Sequence, residues 1–471
     1  MSAQITRLFG LVVVLFALLA IFTTRWTVID AQSLNHNSLN HRTLIAAEKV
    51  KLGRILADDG TVLAQSVPAP GGIFTRRYPT GPEFAQAVGF AFLATYGYAG
   101  LEQQYRDQLQ GVPTGLASVF GRIGGNQQVG NDLYTSLDPK AQRLAVSMLA
   151  GREGSVVALD PRTGSILAMY SNPSYDDNHP KTETFDYALQ AHSPPGSTFK
   201  VVSTSAALDT GRFTPNSTIN GNSPKTISGV PLQNDNNQSF GNIDLTTALT
   251  YSVNTVFAQL AVQLGIGTMT EYMKRFGFYS PPPLDYPTNE LSISRPHSLS
   301  AGNRGLPPGD PNEDIGRIGI GQGGLEVTPM QMAMVVAAVA NGGKLMRPHF
   351  ATRIVDPDGR TVQTIDPSVY QQVMKPSTAA QLTQMMRKVV EEGTGAPAQL
   401  GGISVAGKTG TASIGAPNSG LTEPWFIGFA PAESPKVAVA VTIAQTRGGF
   451  GGSVAAPIAK AIIQLLLSEG R

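Results

Sequence analysis

The chain has no cysteine in its 471 residues. Disulfides, thiolate metal sites, cysteine lipidation and a cysteine nucleophile are therefore all excluded, although the redox compartment stays open. Charge is also scarce: 14% of residues are charged, and 35 Lys and Arg against 33 Asp and Glu leave a formal net charge of +2. Nucleic-acid binding needs concentrated Lys and Arg, which this chain does not show, and neither end carries a run of like charge. The six histidines, at positions 36, 41, 179, 192, 297 and 349, form no H-E-x-x-H or Cys/His pattern, so no metal is expected. No G-x-S-x-G elbow is present to support a triad hydrolase. No cofactor-binding motif survives inspection, and no internal repeat or low-complexity tract appears.

What is present points to a folded, membrane-attached protein. The length implies two or three domains, and a hydrophobic content of 41% is ordinary for a globular chain. Residues 8–24 carry no charge and are dominated by Val12, Val13, Val14, Leu15, Phe16, Leu18 and Leu19. As a helix this run reaches about 26 Å, near the lower limit for crossing a bilayer. A cleaved signal peptide is the rival reading. No clear A-x-A site follows the run, and Arg25-Trp26 reads as an interfacial anchor, so the flanks favour an uncleaved signal anchor. Arg7 before the segment and Arg25 after it leave the positive-inside rule almost silent on orientation.

Residues 25–135 contain no catalytic-looking cluster. Asp59-Gly60 between two apolar runs reads as a hairpin turn. Arg77-Tyr78-Pro79 and Gly100-Leu101-Glu102 are given structural roles. From residue 135 the texture changes. Residues 155–159 and 165–171 read as strands joined by the turn Asp160-Pro161-Arg162-Thr163-Gly164. Three further strands are expected at residues 403–412, 425–431 and 437–445. In the last of these, Val437, Val439, Val441 and Ile443 alternate with smaller residues. A closing helix is expected with Pro457 in its first turn and Ile458, Ile462, Leu465 and Leu466 at helical spacing. A helix over residues 330–340 should end at Asn341-Gly342-Gly343, and residues 280–283 and 304–310 read as loops. Strands at both ends enclosing helices imply an α+β domain with one antiparallel sheet.

Three short motifs follow one another in the chain: Ser197-Thr198-Phe199-Lys200, Ser252-Val253-Asn254 and Lys408-Thr409-Gly410-Thr411. Each alone has a bland reading, as a helix-start serine, a polar turn or a strand. Together they change the odds. Pro194-Pro195-Gly196 sets a boundary and a helical pattern follows, so Ser197 falls in the first turn with Lys200 on the same face at i,i+3. A serine hydroxyl needs a base to become a useful nucleophile, and lysine can serve once burial or a neighbouring cation lowers its pKa. Lys408 would be that cation if the motifs converge. Ser252 and Asn254 are expected in a turn or strained helix start facing one cleft, with Ser252 passing a proton and Asn254 holding both Lys200 and a substrate amide. Lys408 and the hydroxyls of Thr409 and Thr411 suit a peptide's terminal carboxylate. Gly410 is expected to leave room for a substrate backbone paired along the strand edge. Residues 402–409 also spell G-x-x-x-x-G-K-T, but a P-loop needs a following helix, and the residues after Ser413 are loop-like. His192 is taken as a surface or supporting residue rather than a base.

This ordered set is the one described for penicillin-binding proteins and class A β-lactamases, and the chain resembles a class B penicillin-binding protein of the shorter actinobacterial type. The resemblance covers nearly the whole chain: Pro195-Gly196-Ser197-Thr198-Phe199-Lys200, Gly321-Gln322-Gly323 with Thr328-Pro329-Met330-Gln331, Gly393-Thr394-Gly395, and Ala406-Gly407-Lys408-Thr409-Gly410-Thr411-Ala412. Val253 in place of Asp in the middle motif argues against a class A β-lactamase, as does the lack of an E-x-x-x-N between Ser252 and Lys408. The resemblance implies a serine β-lactamase/D,D-transpeptidase-like domain over residues 136–471, an antiparallel five-stranded sheet with flanking helices. It implies a smaller β-rich pedestal (dimerisation-type) over residues 25–135, an anchor at residues 8–24 and a cytoplasmic tail at residues 1–7. It also implies a single-pass membrane protein with an extracytoplasmic catalytic domain. Ser197, Lys200, Ser252, Asn254 and Lys408 would be catalytic, Thr409, Gly410 and Thr411 would bind substrate, and the backbone N–H groups of Ser197 and Thr411 would form an oxyanion hole. Stem peptides ending in D-Ala-D-Ala and β-lactams would be ligands, with no cofactor or metal and no nucleic acid. A polytopic lipid II-polymerising glycosyltransferase is an implied partner. A D,D-carboxypeptidase or β-lactamase of the same fold and a non-enzymatic β-lactam sensor are the alternatives.

Overall fold

The computed structural model describes residues 2–25, 48–92, 95–111, 128–180, 184–299, 302–415 and 419–470. Trp26, part of the expected interfacial anchor, lies outside these, as do His36, His41 and parts of the expected pedestal. The apolar N-terminal run forms the helix Ser2–Thr24, whose described side chains are all exposed. Its residues 3–24 are long and apolar enough to cross a membrane. The closing helix Gly451–Ser468 meets the same length and composition test, but it packs into the core.

The central sheet is antiparallel throughout. Gly154–Leu159 and Ile166–Asn172 form its first hairpin, turning at the expected Asp160–Gly164 segment. Leu421–Ala430 lies between Ala406–Ser413 and Val437–Ile443, which pairs with Gly154–Leu159. Ala406–Ser413 therefore forms one edge, and the short Thr446–Arg447 adds a sixth strand to the expected five. The alternation in Val437–Ile443 has a direct structural meaning. Val437, Val439, Val441 and Ile443 face the closing helix and the helix Pro139–Leu149. Ala438 and Ala440 belong to the opposite core with Phe199 and the helix Pro329–Ala340. That helix is capped by the Thr328 side chain, which accepts from Gln331 N–H, and it stops at Asn341 as expected.

Two boundaries differ from the expectation. Pro457 sits inside the closing helix, which starts at Gly451 rather than beside the proline. Two glycines and a serine are weak helix formers, but the first turn is pressed onto the sheet: a Cβ on Gly451 would lie 2.2 Å from the Trp425 carbonyl oxygen and 2.3 Å from that of Gly410. The pedestal sheet is also not built from one stretch. Ile55–Leu56 pairs parallel with Asp132–Thr135, and Asp132–Thr135 pairs in turn with Ala351–Val355, so a hairpin from beyond residue 350 completes the sheet. The Asp59-Gly60 turn does join Ile55–Leu56 to Val62–Ala69. Arg76 and Glu102 form a buried ion pair at 2.6 Å, and Tyr105 Oη donates to Asp285 at 2.8 Å, tying the two regions together. The G-x-x-x-x-G-K-T segment runs into a strand that continues to Ser413, and the next regular element is another strand, so the P-loop reading fails.

Candidate active site

Pro195 and Gly196 enter a 3-10 turn, Gly196–Phe199, that runs straight into the buried helix Lys200–Asp209. Gly196 has φ +52°, and its N–H donates to the Gly321 carbonyl at 3.0 Å. The Gly321-Gln322-Gly323 segment thus backs the turn that presents Ser197. Ser252 adopts φ +61°, and the helix Asn254–Leu264 begins two residues later, the strained helix start foreseen for this motif.

These turns bring three motif side chains together around one amine. Lys200 Nζ donates to Asn254 Oδ1 at 2.6 Å and to the Ser252 carbonyl at 2.7 Å. Ser197 Oγ lies 2.9 Å from it and Ser252 Oγ 3.1 Å. The Phe257 ring centroid is 5.4 Å away. Lys200 is completely buried. Burial drives its pKa well below the usual lysine range, the charge of Lys408 pushes it further down, and Asp235 partly opposes both. Lys408, also fully buried, is lowered to about 7 by desolvation, again against Asp235. Its Nζ donates to the Thr409 carbonyl at 3.1 Å.

The third motif lies on the edge strand beside the nucleophile turn. Gly410 is a correction: its missing side chain makes room for the protein itself. A Cβ there would lie 2.7 Å from the Pro195 carbonyl oxygen and 3.1 Å from Trp425 Cβ. Backbone-to-backbone contact of this kind fixes the strand against the turn. Thr409 Oγ1 lies 2.6 Å from Thr394 Oγ1, and Thr411 Oγ1 accepts from Gly451 N–H at 3.1 Å. A cleft of about 490 Å³ opens over Ser197, Ser252, Thr409, Gly410 and Thr411. Asn254 and Lys408 stand behind this surface rather than lining it. Asn254 Nδ2 makes only long contacts, 3.3 Å to the Gln233 carbonyl and 3.4 Å to Asp235 Oδ1.

Thr394, from the Gly393-Thr394-Gly395 segment, lines the cleft wall. The sequence reading missed the other residues there, Asp235, Phe240, Tyr251 and Phe450, with Phe240 and Tyr251 stacked at 6.1 Å. The turn-rich Asn234-Asp235-Asn236-Asn237 run was the available signal for the first of these. His192 is half-exposed, with its Nδ1 3.5 Å from Glu326 Oε2.

Residues 154–464 match the penicillin binding protein transpeptidase domain family, and residues 52–133 match the penicillin binding protein A dimerisation domain family. The peptidoglycan D,D-transpeptidase PbpA of Mycolicibacterium smegmatis is 32% identical over 508 residues, covering all of both chains. The protein of the same name from Mycobacterium tuberculosis is 32% identical over 99% of each. Among solved structures, penicillin-binding protein A of M. tuberculosis as a ceftriaxone acyl-enzyme complex superposes with a TM-score of 0.78 at 30% identity, covering 89% of this chain and 99% of that one. A D,D-transpeptidase domain from Eggerthella lenta does so at 0.75 and 30% identity, covering 90% and 99%.

Proposed function

We propose a mechanism from the premise that this chain belongs to the penicillin-binding protein transpeptidase family: it is a peptidoglycan D,D-transpeptidase, and Ser197 is its nucleophile. The observation that carries the assignment is the coordination of Lys200 Nζ. A neutral amine has two N–H donors and one lone pair. The Ser252 carbonyl and Asn254 Oδ1 can only accept, and at 2.7 and 2.6 Å they take the two donors. The lone pair is left for the hydroxyl of Ser197 at 2.9 Å. Burial and Lys408 favour that neutral form.

Ser197 Oγ attacks the carbonyl carbon of the penultimate D-Ala as Lys200 takes the hydroxyl proton. Ser252 Oγ, 3.1 Å from Lys200 Nζ, relays the proton to the amine of the departing D-Ala. An acyl ester on Ser197 remains. The acceptor amine of a second stem peptide then attacks that ester, losing a proton by the same route in reverse, and Ser197 is restored. The N–H groups of Ser197 and Thr411 stabilise the oxyanion, an effect worth about 10²–10³ in rate per donor. Thr409 and Thr411 hold the substrate carboxylate with Lys408 as the charge behind them, and the peptide pairs along the free edge of Ala406–Ser413. The helix Ser2–Thr24 crosses the membrane once and holds the transpeptidase domain outside the cell, above a pedestal drawn from residues 25–135 and completed by the hairpin that begins at Ala351–Val355. A polytopic lipid II-polymerising glycosyltransferase supplies the glycan strands. Asp235 is the one carboxylate among the described residues lining the cleft, and no glutamate is placed there to activate a deacylating water.

A β-lactam mimics acyl-D-Ala-D-Ala and acylates the same hydroxyl. Fluorescent penicillin should label the protein stoichiometrically and durably, with mass spectrometry placing the adduct on the Ser197 peptide. Ser197→Ala should not label, and Ser453→Ala, in the cleft wall but not among the hydrogen-bond partners of Lys200, should. Rapid turnover of the penicillin would show a β-lactamase instead. Labelling that survives the loss of Ser197 would remove the assignment.

A further inference from the structure

Behind the nucleophile turn, three side chains far apart in sequence converge. His192 Nδ1 lies 3.5 Å from Glu326 Oε2, and His297 Nδ1 lies 3.2 Å from the same oxygen. One ligating atom from each of the three falls within 4.8 Å of the others. No spacing rule could show this, because the ligands come from separate segments joined by backbone pairing. Arg295 and Pro296 pair with Glu326 and Leu325, and Ser193 bridges to Val327.

We propose that His192, His297 and Glu326 bind a divalent transition-metal ion of the zinc class. Two imidazoles and a carboxylate are the donor set such an ion prefers, with a water completing the coordination. Metal–ligand bonds of about 2.0–2.1 Å in a tetrahedron place donors about 3.3 Å apart, and the two measured separations to Glu326 fall on either side of that value.

The second observation is independent of the clustering. His297 is 6% exposed, and its Nδ1, though 3.2 Å from Glu326 Oε2, makes no hydrogen bond of good geometry among the described residues. A buried ring nitrogen in that condition is costly unless something fills the space in front of it. His192 is half-exposed, which gives the ion a path in. Asn303 Nδ2, 3.4 Å from Glu326 Oε2, supplies an orienting donor.

The site would act as a clamp. His297 N–H donates to the Gly324 carbonyl at 2.8 Å, three residues past the Gly321 carbonyl that holds Gly196. One ion would therefore tie the segment leading into Ser197 to the strand pair and the glycine loop behind it.

The test uses the full chain in detergent, stripped with a chelator and titrated with Zn²⁺ against a chromophoric indicator. One Zn²⁺ should bind per chain, and Co²⁺ in its place should give the intense visible absorption of a four-coordinate site. His297→Ala and Glu326→Gln should each weaken Zn²⁺ binding by more than about 100-fold. Penicillin labelling of Ser197 reports whether each variant is folded. If His297→Ala does not fold, the half-exposed His192→Gln decides alone, with the same loss expected. Failure of the wild type to bind one Zn²⁺, or binding unchanged in the folded variants, would overturn the site. Neither result touches the assignment of Ser197, which rests on the contacts of Lys200 and is tested separately by penicillin labelling.

Discussion

Arg76 in the pedestal and Lys200 in the cleft are both sealed from solvent, and they differ in what meets the charge. Arg76 has Glu102 against it at 2.6 Å, with both side chains essentially unexposed, and Tyr78 Oη donates to the same carboxylate oxygen at 3.3 Å. Lys200 has no carboxylate within ion-pair distance among the described residues. Its partners are two carbonyl-type oxygens and two hydroxyls, and the charge it feels most strongly is that of another lysine. A guanidinium cannot give up its proton under these conditions, so burying it demands an anion. An amine has a second option, which is to become neutral. The same physical penalty thus yields a fixed structural pair in one region and a proton acceptor in the other.

The comparison breaks most sharply at Lys200. Lys200→Ala should slow penicillin acylation by about 10²–10⁴ while the thermal midpoint stays close to wild type, and stopped-flow labelling beside a melting curve checks both. Acylation at the wild-type rate would move the base elsewhere.

Arg76→Ala is the converse case. Leaving Glu102 buried without its partner should cost about 3–5 kcal/mol of stability, read from chemical denaturation. Labelling per folded molecule should be retained. A variant as stable as wild type would mean that the pair contributes nothing.

A smaller effect separates the buried lysines from ordinary ones by pH. Lys408 titrates near 7 in the fold against 10.5 as a free side chain. Between those values the unfolded chain holds a proton that the folded one does not, so this residue makes stability rise with pH across that window and fall as pH drops toward 7. Lys408→Met should remove that part of the slope when denaturation is compared with wild type at several pH values. An unchanged slope would show that Lys408 stays charged.

The smallest effect belongs to Asp235, an exposed carboxylate whose field raises both lysines. Asp235→Asn should move the acid limb of the acylation rate to lower pH, and added salt should shrink the difference. Movement to higher pH would reverse the electrostatic account.

The chemistry was far more legible in the sequence than the architecture around it. Ser197 and Lys200 must share one helical face, and Ser252 and Asn254 one turn, so their relation is written in local spacing. The alternation through Val437–Ile443 marked a strand for the same reason. What escaped depends on contacts between distant segments. Ala351–Val355 completes the pedestal sheet through partners more than two hundred residues earlier. The closing helix begins at Gly451 because the sheet holds it there, not because its first residues favour helix. Gly410 reads from sequence as space for a ligand, and only the packed structure shows that Pro195 fills it. Asp235 and Phe240 reach the cleft on a segment whose path no periodicity records, and Phe240 stacks there on Tyr251 at the end of the helix Leu245–Thr250.

The left-handed backbone at Ser252 bears on how such an enzyme can change. A side chain held there strains the fold by about 1–3 kcal/mol, and glycine would relieve it, less the extra freedom glycine gives the unfolded chain. Ser252→Gly should therefore melt no lower than wild type while losing the proton relay. A laboratory selection for heat resistance would be drawn toward that glycine, and a selection for cross-linked wall would be driven back from it, so this one position sets durability against turnover.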